Sequence, residues 1–377
     1  MDIRRYRERQ LLFHVITLMI FVVSQQLTAR GMQDQPEQLN QNLSEESSVP
    51  EGRLITDSFG REVLIPESVE RVACLYAFSG HVTTMLGCGE DIVAVVPGLK
   101  RDKMLNQLNP SLADAAVTTL DGVVHIEELL KMEPDLVFLK GESARLEAEV
   151  EKLERFDIPY LVIEYKSIEE QMEAISIIAS ALNREEKGRE FNHYYQQTMD
   201  RVKNLLSSLP ADKRIRVYHS VNEAVRTDAA GTLPAEWLEI CAVDNVSIGE
   251  TLKFRDNKFF ASLEQIYLWD PEVIICNEGG VDEYLLSNEM WGGLKAVKNK
   301  DVYQIPIGIS RWGHPGGMET PLAILWTAVT LYPEYTGDIN LDQEIREFYS
   351  RFFSIDIDDE TIARIKDGSG MRAPKGE

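Results

Sequence analysis

The chain has 377 residues, 44% of them hydrophobic and 27% charged, with a formal net charge of −23 and a pI near 4.8. That length suits about two ordinary domains, and the composition can fill buried cores. So acidic a chain is excluded from nonspecific attachment to nucleic acid or to an anionic membrane, and a polyanionic ligand would have to be held by local cations against the overall field.

Residues 1–31 read as an export signal. Arg4, Arg5, Arg7 and Arg9 precede an apolar run, Leu11–Val23, and Gln25–Ala29 offers an imperfect cleavage region. The run is short of the roughly 20 residues a spanning helix needs, so a cleaved signal and a periplasmic location are expected, with an uncleaved N-terminal anchor as the alternative. No cysteine follows the run, which argues against a lipoprotein anchor. Residues 32–51 are polar and poor in aromatics and read as a disordered tether.

Order is expected from Leu54. Arg53–Thr56 and Arg61–Ile65 flank the turn residues Asp57-Ser58-Phe59-Gly60, a hairpin pattern. Strand-like and helix-like segments then alternate: Val69–Leu75, Ser79–Leu86, Ile92–Val96, Ile126–Met132, Leu136–Leu139, Ser143–Phe156 and Tyr160–Ile163. The alternation predicts βαβ units on a parallel sheet. Arg184–Leu209 follows without a proline, with Phe191, Tyr195, Thr198, Val202, Leu205 and Leu209 at helical spacing and Pro210 as the stop. Such a helix would be roughly 35–40 Å long and could act as a strut. The alternation resumes with Arg214–His219, Leu233–Cys241, Leu263–Trp269, Val273–Cys276, Asp301–Ile305 and Met318–Leu331. Asn340–Phe353 and Asp359–Lys366 read as closing helices, and Asp367–Glu377 as a frayed end. The expected layout is a lobe over 52–183, an interlobe helix over 184–209 and a second lobe over 210–377. Cys74, Cys88, Cys241 and Cys276 lack C-x-x-C spacing. They read as buried free thiols, although an exported chain could pair them.

Two stretches repeat at a constant offset of 137 residues: Ile126–Glu142, IEELLKMEPDLVFLKGE, and Leu263–Gly279, LEQIYLWDPEVIICNEG. Each has an acid at its second place (Glu127, Glu264), an acid-Pro-acid stop, then an apolar run. Two similar lobes imply a cleft and a bound ligand.

Taken in order, these segments resemble the substrate-binding proteins of ABC importers that serve siderophore-iron, haem, cobalamin and related metal chelates. The resemblance covers about residues 52–335. It rests on the hairpin followed by PESVERVACLY, on EELLKMEPDLVFL and LEQIYLWDPEVII, on the long helix, and on WGHPGGMETPLAILWTAVTLYPE. It implies an α/β fold of two Rossmann-like lobes with parallel sheets joined by one backbone helix, the class III periplasmic binding protein fold. It also implies a binding protein rather than an enzyme, a monomer working with a permease dimer and its ATPase. No intrinsic cofactor is expected, since metal would enter as part of the ligand. In that family a carboxylate on each lobe docks on permease arginines, and the matching residues are Glu127 and Glu264. The alternative is that each acid simply sits in the first turn of its helix, where the dipole favours it; the repeat and the resemblance together favour docking.

Ligands of open α/β sheets bind beyond the carboxyl ends of strands. That rule selects Tyr76, Lys100 and Lys140 in the first lobe, and His219, Arg226, Arg311, Trp312 and His314 in the second. Arg311 could clamp an oxyanion, Trp312 could offer a ring face, and His314 could ligate a metal directly. The same loop could instead be a turn capping the following helix. No His pair or His/Cys cluster has metal-site spacing, so a preformed chelate suits the inventory better than a bare cation. A ferric siderophore is the first expectation, with haem or a corrinoid next. The alternatives are molybdate or tungstate, or a nickel chelate, in the same fold; a two-lobed metallocofactor enzyme is a distant third, for which no catalytic motif appears. Aromatics in the cleft would favour a chelate, and converging cations an oxyanion.

Overall fold

Each lobe is built on a parallel sheet whose first strand lies in the interior of the strand order. The computed structural model describes residues 52–368 and 371–373; the expected signal segment and tether lie outside the described residues. In lobe one the strands stand in the order Ala116–Val117, Ile92–Val95, Val72–Leu75, Leu136–Lys140, Tyr160–Ile163, all parallel. In lobe two the order is Asp244–Asn245, Arg216–Ser220, Val273–Cys276, Val302–Gln304, again all parallel. Val72–Leu75, Tyr160–Ile163 and Val273–Cys276 are buried at every residue, as strands covered on both faces must be.

The strand order reverses between 72–75 and 136–140 in lobe one, and between 216–220 and 273–276 in lobe two. Those two switch points, at the carboxyl ends of the strands, are where an open α/β sheet leaves a crevice.

The long helix is Glu185–Leu205, 21 residues and so about 31 Å, shorter than expected at its far end. It buries Phe191, Tyr195, Thr198, Met199 and Val202. It packs against Ile168–Ala181 on the lobe-one side and Thr320–Leu331 on the lobe-two side. Ile168–Ala181 is a helix the sequence pattern did not separate; it is capped by Ser167, whose side chain accepts from the Glu170 amide. Gly188 lets the two helices touch, since a Cβ there would lie 2.6 Å from that of Ala179. One apolar core runs from lobe one past this helix into lobe two. The expected helix 143–156 is split into Gly141–Ala144 and Glu147–Glu154.

The 137-residue repeat is a repeat of conformation. Glu133 (φ 43°) and Asp270 (φ 42°) both take the left-handed conformation just before their prolines. Two residues on, Asp135 accepts from the amides of Glu70 and Arg71 at 2.9 and 2.8 Å. Its counterpart Glu272 accepts from the amide of Arg216 at 3.1 Å. Each acid therefore braces the entry of its lobe's first strand. The four cysteines are free and buried. No helix among the described residues is long and apolar enough to cross a membrane.

Candidate ligand site

The loop Ile309–Met318 fills the space between the two switch points, and a buried carboxylate gives it its shape. Glu319, fully buried, accepts from the amides of Ile309 (3.1 Å) and Ser310 (2.5 Å), from Ser310 Oγ (2.7 Å), and from Tyr349 Oη. Burial pushes its carboxyl above the usual range against these donors. Gly313, at φ 64°, lies flat on Trp237: a Cβ there would sit 2.7 Å from the indole. Trp237 Nε1 donates to the Gly313 carbonyl at 3.1 Å. Trp312 points inward and has no exposed surface.

Arg311 and His314 face the cleft. Arg311 Nη1 donates to Asn222 Oδ1 and Glu278 Oε2, groups that follow the two strands of the lobe-two switch point. From lobe one, Arg101 donates to the other oxygen of Glu278 at 2.8 Å. Burial opposes charge on Glu278, yet Arg311, Arg101 and Arg372 together hold it below the ordinary carboxylate range. Arg311 is 8% exposed. Burial, reinforced by Arg372, pulls its guanidinium below the usual value, with Glu278 opposing.

His314 Nδ1 accepts from the Gly316 amide at 2.8 Å. Its Nε2 lies 2.6 Å from Arg311 Nη2. Burial, then Arg311, Arg372, Arg226 and Lys140, depress its pKa well below the ordinary histidine value, so the ring is neutral near pH 7.

Lobe one closes on the same loop. Tyr76 Oη donates to the Pro315 carbonyl at 2.7 Å, and Tyr165 Oη donates to the same oxygen. His81 reaches the Gly316 carbonyl through Nδ1 (3.2 Å) and Asp102 through Nε2 (2.9 Å). Lys140 lies at the rim, 2.6 Å from Glu142 and 5.6 Å from the Tyr76 ring centroid. Arg226 is partly buried; burial lowers its pKa against Glu223, Asp228 and, across the cleft, Glu142.

Five of the residues selected from sequence are thus brought together: Tyr76, Lys140, Arg226, Arg311 and His314. Three are not. Lys100 turns into lobe one, where its ammonium donates to the carbonyls of Leu112 and Ala113. His219 lies wholly buried beneath the loop, with Nδ1 2.6 Å from Asp228 and its ring edge-on to Trp237. Trp312 is core packing. His314 also fits a metal poorly, because its Nδ1 lone pair is engaged and its Nε2 faces a guanidinium. Among the described residues no group of three or more His, Cys, Asp or Glu is placed to hold a metal ion. Residues missed in the sequence are His81, Asp102, Tyr165, Glu319 and Arg372. Only Glu319 left a signal, an acid just after a glycine pair at the start of an apolar helix.

Two α/β lobes bridged by one long helix, with a cation-rich cleft at the carboxyl ends of both sheets, define a class of protein: the two-lobed solute-binding proteins. The chain belongs to the periplasmic binding protein family, which it matches over residues 72–307. It is 25% identical to the molybdate-binding protein MolA of Haemophilus influenzae over 336 residues, 83% of this chain and 94% of MolA. It is 25% identical to the Fe(3+)-citrate-binding protein YfmC of Bacillus subtilis over 277 residues, 70% of this chain and 81% of YfmC. Among solved structures, molybdate-bound MolA matches with a TM-score of 0.72 at 23% identity, covering 81% of this chain and 99% of that one. CeuE of Helicobacter pylori in its Ni-His complex matches with 0.69 at 24% identity, covering 83% and 98%. The fold is therefore the expected α/β one. As a member of this family the chain is a solute-binding protein and not an enzyme.

Proposed function

We propose that the ligand is a small oxyanion of the molybdate or tungstate kind, held between Arg311 and His314. One observation carries this reading. With Nδ1 accepting from the Gly316 amide, neutral His314 bears its proton on Nε2, and that N–H faces the Arg311 guanidinium at 2.6 Å. Two donors then crowd each other with no acceptor shared between them, and an oxygen seated beside the pair would accept from both. Arg101, Arg226 and Lys140 add positive field from three other segments, whereas the aromatic platform a siderophore would use is reduced by the burial of Trp312. MolA, 25% identical, is a molybdate-binding protein.

The test is calorimetric titration of the purified chain with molybdate, tungstate, sulfate and ferric citrate. Micromolar or tighter binding of molybdate or tungstate is the expected result. Binding of ferric citrate with no heat from either oxyanion would overturn it.

The same proposal gives Glu127 and Glu264 to the permease. The helices Ile126–Lys131 and Leu263–Trp269 lead into sheet strands. Crossover helices run antiparallel to the strands they join, so their first turns lie at the strands' carboxyl edge, beside the mouth of the cleft. Both acids are exposed and lack an ion-pair partner among the described residues. Two anionic points on one rim give register and steering more than raw affinity. Glu127→Lys combined with Glu264→Lys is expected to reduce vesicle uptake at least tenfold while leaving oxyanion affinity within about twofold. Uptake at the wild-type rate would remove both residues from the interface.

A further inference from the structure

Asp367–Glu377 was expected to fray, yet within that stretch Met371–Ala373 is docked on the opposite lobe. The helix before it, Asp359–Lys366, is tied to lobe two: the Ile307 amide donates to the Ile365 carbonyl at 3.0 Å. The segment then pairs antiparallel with Arg101–Lys103 of lobe one, with an isolated bridge between Asp102 and Arg372. Lys103 N–H donates to the Met371 carbonyl at 3.1 Å, and Ala373 N–H to the Arg101 carbonyl at 2.9 Å. Arg101 Nε returns a bond to the Ala373 carbonyl at 2.8 Å. Met371 is 4% exposed and belongs to the apolar core.

This pairing completes a circuit of polar contacts around the cleft. Arg311 meets Glu278, Glu278 meets Arg101, and Arg101 meets the segment at Ala373. On the other side Arg372 Nη1 bonds Asp102, Asp102 meets His81, and His81 reaches Gly316 beside His314. The Arg372 side chain is 11% exposed. Its Nη2 lies 3.8 Å from where a Cβ on Gly98 would stand, and its buried Nε has no hydrogen-bond partner. A buried guanidinium nitrogen without an acceptor is costly, and an anion in the cleft could supply one.

We propose that Met371–Ala373 forms part of the binding site: it ties lobe two to lobe one and supplies Arg372 as a further ligand-binding cation. The inference rests on the oxyanion reading of the same cleft. Its location agrees with the electrostatics, since Arg372 is among the charges that act on Arg311, Glu278 and His314. The segment also explains how Arg101 is aimed: its guanidinium is fixed between the Ala373 carbonyl and Glu278.

The experiment is sodium molybdate titration of full-length wild type, Arg372→Ala and Arg372→Lys, with amide hydrogen exchange at Lys103 as the reporter of docking. Arg372→Ala should weaken binding about 10- to 100-fold through a faster off-rate. Arg372→Lys should recover part of it, and Lys103 should stay protected in both. Unchanged affinity in Arg372→Ala, with the wild type binding, overturns the inference and leaves the oxyanion reading standing. A loss that accompanies exposure of Lys103 and is not recovered by lysine also overturns the ligand contact. A wild type that binds neither molybdate nor tungstate overturns the oxyanion reading and this inference with it.

Discussion

Glu319→Ala is expected to lower the unfolding free energy by about 3–5 kcal/mol and to abolish oxyanion binding in the molecules that still fold. The reason is the number of donors it would strand. The amides of Ile309 and Ser310, the Ser310 hydroxyl and the Tyr349 hydroxyl all end on this one carboxylate, inside the protein. Each buried donor left without a partner costs about 1–3 kcal/mol. Water entering the vacated space would recover part of that, which keeps the total below the simple sum. Glu319→Gln separates shape from chemistry: the amide fills the same volume but turns an N–H₂ toward groups that are themselves donors. It should fall between wild type and alanine, whereas Tyr349→Phe removes one donor and should cost about 1 kcal/mol. Urea denaturation measures all three. A loss below about 1 kcal/mol for Glu319→Ala would mean that the loop is shaped by its glycines and by the packing of Trp312, and not by the carboxylate.

The stability effect reaches the ligand because the loop carries both groups that face it. Arg311 and His314 sit one and four residues beyond Ser310, and the turn at Gly313 is seated on Trp237. Releasing Ser310 frees the first half of that turn while the second half stays pinned by Tyr76, Tyr165 and His81 from lobe one. The guanidinium and the imidazole would then no longer converge.

How much of this could be read in the sequence follows from which interactions are local. The alternation of apolar strands and amphipathic helices is a local pattern, so both lobes and the interlobe helix were legible. Helix Ile168–Ala181 was not, because it leads into the next helix through only a few residues around Asn183, at φ 55°, with no Pro or Gly to mark the break. The repeat was legible as a pattern, but its acid-Pro-acid half proved to be a brace for strand entry through Asp135 and Glu272. Rules about strand ends selected Tyr76, Arg311 and His314, which the structure gathers around one loop. They could not tell inward from outward within an irregular loop, which has no period, and so Trp312 was placed on the wrong side. His219 was misplaced for a related reason: the rule selects a position along a strand and not the face its side chain takes. Lys100, His81, Asp102 and Arg372 show the remaining limit. Their places are set by partners up to 270 residues away in the chain, and no spacing rule encodes such a pairing.

Arg311→Ala is expected to weaken molybdate binding by about 10²- to 10³-fold, the largest effect of any single substitution in the cleft that leaves the fold intact. Two terms add. A charge-assisted donor to the ligand is lost, worth about 1.5–3 kcal/mol. The Glu278 carboxylate, now hydrogen-bonded to Arg101 alone and with Arg372 nearby, turns less compensated negative charge toward the anion. The second term can be isolated. If Glu278 repels the ligand once Arg311 is gone, Arg311→Ala combined with Glu278→Gln should bind more tightly than Arg311→Ala alone, a non-additivity that titration of the four proteins in the cycle resolves. Arg311→Lys should lie between, because an ammonium keeps the charge but cannot span Asn222, Glu278 and the ligand as a planar fork does. If the double variant is no better than Arg311→Ala, Glu278 serves only to orient Arg311. If Arg311→Ala itself binds molybdate as the wild type does, the anion does not sit between Arg311 and His314, and the facing pair of donors has some other acceptor.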